Sequence, residues 1–308
     1  MQRQRYASVT RVSLPSDSSR TAAATCAALL GFAANSILCR GGLGQGAIDA
    51  SSFTAIRIAS GATTLVLLAR IASSRAGGLP IRGAGSFGSA LALFAYASAF
   101  SLAYLRLGTG VGALVLFACV QATMIAGGIR GGARPSPGEW LGLAIAMAGL
   151  CILTLPGASV PDPVGLVLMA GAGIAWGIYS LRGRGNRSPL LATADNFVLA
   201  LPLALGMLAV GFATSSLHAS PRGVGFALAS GAVASGLGYS LWYLALPSLS
   251  ATRAAVLQLS VPAIAAAGGI LLLGESLSAR LAVGGALILG GVGTAVFLRG
   301  LSLARPRA

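Results

Sequence analysis

Apolar residues fall in runs of about 20 along almost the whole chain, separated by short polar segments. Runs of that length, continuous rather than alternating, read as helices crossing a bilayer core and not as barrel strands. Ten spans are expected, near 21–39, 52–71, 86–106, 110–129, 138–155, 163–181, 190–212, 223–246, 250–273 and 279–298. The most developed stretch is Ser250–Arg280, apolar from Ala254 to Leu273. Pro262 interrupts it near mid-depth, Gly268 and Gly269 give it a smooth face, and Glu275 closes it at the membrane edge. A weaker copy lies at Gly112–Gly128.

The two halves repeat. GFAANSILCR at Gly31–Arg40 matches GIAWGIYSLR at Gly173–Arg182 at an offset of 142 residues. FSLAYLRL at Phe100–Leu107 matches YSLWYLAL at Tyr239–Leu246 at 139, and Gly127-Gly128 matches Gly268-Gly269 at 141. Five spans per half is an odd number, so the second copy enters the membrane upside down. The expected fold is therefore an all-α polytopic membrane protein, ten transmembrane helices in two inverted five-helix repeats. The repeats take residues 21–157 and 163–299, with tails at 1–20 and 300–308. Inverted repeats place a substrate site at their interface near the bilayer midplane.

Composition strengthens this picture. The 308 residues are 56% hydrophobic and only 9% charged, where soluble domains carry roughly 25% charged residues. The 44 glycines suit close helix packing in lipid. The net charge of +15 is carried by arginine alone, since there is no lysine. These arginines sit in loops and tails, which favours a role in orientation over nucleic-acid binding. With both termini cytoplasmic, sixteen arginines, Arg280 among them, fall inside, against Arg40, Arg106, Arg222 and Arg253 outside. Asp195, Glu139 and Glu275 are then assigned to cytoplasmic span ends. The four cysteines form no CxxC pair and the single histidine, His218, lies in a polar loop, so no metal or other cofactor is expected.

SLWYLALPSLSATRAAVLQLSVPAIAAAGGILLLGESLS at Ser240–Ser278 resembles the EamA branch of the drug/metabolite transporter superfamily. Leu241, Tyr243, Ala245, Leu246, Ala254, Ala255, Pro262, Gly274 and Glu275 carry the likeness, followed by Gly284 and Gly291. The first half departs from the pattern: Gln121 replaces the proline and Arg134 stands near the Glu275 equivalent. The resemblance implies a small-molecule permease of the bacterial inner membrane, often an exporter of amino acids or related metabolites. Tyr96 and Trp176 fall where aromatic amino-acid exporters of the YddG type carry aromatic residues.

The candidate substrate site comprises Asn35, Tyr96, Phe100, Phe117, Trp176, Tyr179, Tyr239 and Gln258. Tyr96 and Phe100 share a helix face, as do Trp176 and Tyr179, and such faces suit an apolar cavity wall. Asn35 and Gln258 are uncharged polar groups inside spans, able to bond a substrate carboxylate or to bridge helices. Phe117 is the repeat mate of Gln258, 141 residues earlier. Trp242 and Tyr243 sit near a span end and are ranked below these. Arg57 lies within the second span, and snorkelling to the nearby outer end explains it more cheaply than substrate binding.

The expected function is export of small zwitterionic metabolites, amino acids first, by alternating access and facilitated diffusion. The partners are a small-molecule substrate and the bilayer, with no nucleic acid. Drug or other metabolite efflux by proton antiport is the alternative, and a non-transporting structural membrane protein is the reading from another class. No nucleophile–base or metal constellation marks an enzyme.

Overall fold

A computed structural model of the chain describes residues 18–75, 84–132, 137–154, 161–183, 186, 188–245, 248, 257–258 and 260–304. The fold is all-helical. The helices are α1 (Ser18–Leu43), α2 (Ala50–Arg75), α3 (Phe87–Tyr104), α4 (Thr109–Arg130) and α5 (Pro137–Thr154). They continue with α6 (Pro163–Arg182), α7 (Pro189–Ala213), α8 (Pro221–Ala245), α9 (Ser260–Leu273) and α10 (Ala279–Ala304). Among the described residues seven helices, α1 to α4 and α6 to α8, are long and apolar enough to cross a membrane. The fifth, ninth and tenth expected spans fall on shorter apolar stretches: Trp140–Gly149, Ser260–Leu273 and Ala279–Thr294. At 1.5 Å per residue the 14 residues of α9 reach about 21 Å, short of a 30 Å core. Most of the chain expected to precede it lies outside the described residues. Pro262 lies within α9, and Leu257 and Gln258 before it are also helical, while residues 250–256 and 259 of that expected span lie outside the described residues.

Local sequence sets the helix starts. Ser86, Asp162 and Ser220 each accept a backbone N–H of the first turn, from Ser89, Gly165 and Gly223. Pro163, Pro189 and Pro221 open their helices, where the missing N–H has no partner to lose. Outward faces carry Val167, Phe212, Leu244 and Leu271, as a lipid-facing surface requires. Helix contacts use glycine: a Cβ at Gly149 would strike the Gly284 carbonyl, and one at Gly291 the backbone of Gly142 and Ala146, so α5 and α10 touch nearly backbone to backbone.

α8 is not a uniform α-helix. Ala229–Leu237 (ASGAVASGL) winds as a π-helix between two α-helical segments. Two glycines and two serines in this stretch weaken the α-helical preference. The gain is close approach: a Cβ on Gly231 would land on the Arg57 carbonyl oxygen and the Ser60 hydroxyl of α2.

The two ends of the bundle differ. At one end the α1–α2 and α7–α8 connections pair through an antiparallel bridge between Ile48 and Ala219. Asp49 accepts the amides of Ser52 and His218 there, both at 2.9 Å. Asp49 is held below the ordinary carboxylate range: burial pushes it up, but the amides of Ser52, His218 and Ser51 outweigh that. At the same end Arg40 meets Glu275 at 3.3 Å and the Tyr104 carbonyl at 3.0 Å. Glu275 also takes the Thr109 amide at 2.8 and 2.9 Å, capping α4 from a distant loop because Gly108 has no side chain to do so. Arg106 and Asp162 form a second ion pair at 3.4 Å.

This placement corrects the assignment of Glu275. It lies at the Arg40 end, not with Asp195, and α10, which begins four residues later, brings Arg280 with it. The arginine bias loses Arg280 from its majority, and Arg253 lies outside the described residues. At the opposite end Asp195 accepts the amides of Ala84 and Gly85, and Asn196 that of Ser86, fixing the start of α3. Asp195 is thus a loop anchor.

Candidate functional site

A cavity of about 660 Å³ lies between α1, α3, α4, α6, α7 and α8. It runs from the Asp195 end, where Ala84, Arg182, Gly183 and Asn186 line its mouth, inward to an aromatic wall. Trp176 is the centre of that wall. Its ring stacks on Tyr179 and on Tyr239, both at 5.3 Å between centroids, and packs on Tyr96 at 4.8 Å. Phe32 joins Tyr239 to Trp242 at 5.7 and 5.8 Å. Each such ring pair contributes about 0.5–1.5 kcal/mol beyond its area burial, so the wall is rigid as well as apolar.

Polar groups sit on the cavity side. The Tyr179 hydroxyl donates to Thr193 Oγ1 and accepts from Asn196 Nδ2, both at 3.4 Å, and the Thr193 and Tyr243 hydroxyls are hydrogen-bonded to each other at 3.0 Å. Arg182 at the mouth donates to Ser89 at 3.2 Å. Gln121 and Gln258 add two side-chain amides to the lining.

Of the eight residues expected from sequence, Trp176, Tyr179, Tyr239 and Gln258 line this cavity. Asn35, Tyr96 and Phe100 lie behind its wall, and Phe117 packs into the apolar core. Trp242 and Tyr243, ranked lower for their position near a span end, both line the cavity, as do Gln121, Thr193 and Asn196. For Thr193 and Asn196 a signal was present: two uncharged polar residues three apart, sharing a face of a helix whose other polar residue is Asp195.

The largest departure is Arg57. It does not snorkel; it is 2% exposed. Its Nη2 donates to the Tyr96 hydroxyl at 3.0 Å, and its guanidinium carbon stands 5.1 Å from both the Tyr96 and the Phe100 ring centres. Asn35 donates to the same hydroxyl at 3.5 Å, and Ser230 of the π-helical stretch donates to Asn35 Oδ1. Among the described residues Arg57 has no carboxylate partner, and its Nη1 has no hydrogen bond. A central arginine costs about 2.5–3.5 kcal/mol on insertion scales. Two cation–π contacts return about 1–4 kcal/mol and one hydrogen bond to a charged group about 1.5–3. The charge can therefore reside there, but it is not neutralised. Sequence reading failed here by placing the helix start at residue 52. α2 begins at Ala50, which puts Arg57 about 10 Å inside, and the side chain runs sideways onto α3.

Known proteins resemble this chain along most of its length. The model of the EamA-like transporter family matches residues 163–297. Uncharacterized protein PA1977 of Pseudomonas aeruginosa is 47% identical over 273 residues, 89% of this chain and 93% of that one. The threonine/homoserine exporter RhtA of Escherichia coli is 31% identical over 170 residues, 53% of this chain and 56% of its own. A crystal structure 19% identical in sequence superposes with a TM-score of 0.63, covering 91% of this chain and 98% of that one, so the fold is shared. The family model and RhtA lie among transporters and not enzymes, and the shared fold agrees with a multi-pass helical bundle. The chain belongs to the EamA-like transporters of the drug/metabolite transporter superfamily and acts as a membrane-embedded carrier of small molecules.

Proposed function

We propose that this carrier exports small zwitterionic metabolites, amino acids first among them, from the bacterial cytoplasm across the inner membrane. The observation that carries this reading is the cavity of about 660 Å³ with an aromatic wall, open toward one end of the bundle while the other is laced shut. That volume is in the usual range for small-molecule sites. The stacked Trp176, Tyr179 and Tyr239 favour an apolar or aromatic side chain, as in exporters of the YddG type. The polar rim of Thr193, Asn196 and Gln258 favours a polar head. The printed name of RhtA, a threonine/homoserine exporter, points to the same substrate class.

Alternating access is supported by the way the helices exchange partners. Under the proposed repeats, 21–157 and 163–299, α1 corresponds to α6, α2 to α7, and so on. α2 packs on α7 and α5 on α10; α3 packs on α6 as α8 does on α1; α4 packs on α6 as α9 does on α1. The anchors exchange as well. Asp49 beside α2 holds the loop before α8, and Asp195 on α7 holds the loop before α3, at opposite ends. Such exchange is what two inverted five-helix repeats produce.

Facilitated diffusion is the proposed energetics. The residues lining the cavity include no aspartate, glutamate or histidine among those described, so no proton carrier stands beside the substrate. Efflux of lipophilic cations by proton antiport needs a buried acid facing the solute, whereas the buried acid here, Asp49, is tied to the Ser52 and His218 amides away from the cavity lining, and the other buried charge, Arg57, is positive. The test is uptake by proteoliposomes across the amino acids. Transport should run down a substrate gradient without a pH gradient and stop at equal concentrations. Accumulation driven by a proton gradient alone would refute it. Both termini are proposed to be cytoplasmic, so a reporter fused after Ala308 should be active only on that side.

A further inference from the structure

We propose that Arg57 recognises the carboxylate of the transported solute, so that the carrier accepts an acid and rejects the matching amide or amine. This rests on the permease reading above and adds a residue that the cavity does not itself contain.

Depth is the first reason. Counted from the laced end, Asn35, Arg57 and Tyr96 lie 8, 7 and 8 residues along α1, α2 and α3. At 1.5 Å per residue all three stand about 10–12 Å in. Trp176 is 13 residues from the same end of α6, about 20 Å in. The Arg57 group therefore lies between the cavity wall and the laced end. A solute that leaves the cavity toward that end must pass it. Tyr96 is the ring between them, touching Trp176 on one side and the guanidinium on the other.

Chemistry is the second reason. A guanidinium stays charged, and its donors match a carboxylate in a forked pair. Nη2 spends one hydrogen on Tyr96; Nη1 spends none among the described residues, although Arg57 is 2% exposed. The neighbouring polar groups are Asn35 and the Tyr96 and Ser230 hydroxyls. This is a set of neutral polar groups around one unopposed positive charge. A buried ionisable group with no opposite charge among the described residues calls for one in the ligand. A role in pinning α2 to α3 would account for the bond to Tyr96 but not for the open Nη1.

The test uses the full chain in proteoliposomes. Counterflow of L-threonine and of L-tryptophan is challenged with each amino acid, its carboxamide, and the simple acids propionate and benzoate. In the wild type the acid should compete at least tenfold better than the amide. Arg57→Gln should bring that ratio to about one, and Arg57→Lys, which keeps the charge without the fork, should fall between. Equal competition by acid and amide in the wild type overturns the proposal even if the variants do not fold, and so does a wild-type ratio in Arg57→Gln. Transport of propionate or benzoate but of no amino acid, abolished in Arg57→Gln, overturns the amino-acid reading and leaves the carboxylate assignment standing.

Discussion

Glu275→Gln tests whether the ion-pair network holds one end of the carrier shut. Glu275 receives the Thr109 amide at 2.8 and 2.9 Å, the Thr109 hydroxyl at 3.1 Å and Arg40 Nε at 3.3 Å. Glutamine keeps an oxygen for the Thr109 amide and removes the charge. Hydrogen bonds to charged groups contribute about 1.5–3 kcal/mol and neutral ones about 0.5–1.5, so the cap weakens by about 1 kcal/mol. The Arg40 pair is partly exposed, with side chains 25% and 21% accessible, and screening limits its share to about 0–1 kcal/mol. The total, about 1–2 kcal/mol, shifts a two-state balance about 5–30-fold toward the form in which that end is open. A native reporter sits just beneath: Cys39, fully buried and adjacent to Arg40. With Cys26, Cys119 and Cys151 replaced by serine, a membrane-impermeant thiosulfonate should label Cys39 about 5–30 times faster in Glu275→Gln. An unchanged rate, in a preparation where substrate does alter Cys39 labelling, refutes the role of this network as a lock.

Gly231→Ala should lower the thermal stability of the detergent-solubilised protein by about 1–3 kcal/mol, because its methyl lands on α2, whereas Gly225→Ala, facing open space, should leave it unchanged. Asp49 has a depressed pKa, so its bonds to His218 and Ser52 stabilise fully above 3.8 and are lost as pH falls through the folded value; unfolding followed from pH 7 to pH 3 should show a loss that Asp49→Asn abolishes. Trp176→Ala should cut transport at least tenfold while the protein stays folded, and Trp176→Phe should recover most of it; wild-type transport in Trp176→Ala would make the ring mere packing.

Much of the fold was legible because lipid imposes long apolar runs, and α1 to α4 and α6 to α8 appear where those runs lie. The aromatic faces were legible too, since spacing by three or four fixes which rings share a face: Trp176 with Tyr179, Tyr96 with Phe100. Depth was not. Tyr96 and Trp176 look alike in sequence, yet one lies behind the cavity wall and the other forms it. Arg57 was judged from its distance to a boundary that shifted by two residues, and Glu275 from a side of the membrane that only its contact with Arg40 reveals. The π-helical stretch left no mark beyond a run of small residues, which fits several backbone forms.

The unopposed arginine also bears on how the chain is made. α2 meets the insertion machinery carrying a charge worth about 2.5–3.5 kcal/mol against entry into lipid. The rings and hydroxyl that receive that charge belong to α3, and Tyr96 is synthesised 39 residues after Arg57. At about 5–20 residues per second the delay is about 2–8 seconds. For that interval α2 lacks the contacts that offset its charge. The expected outcome is that α2 and α3 enter the bilayer together as a hairpin, the third helix drawing in the second.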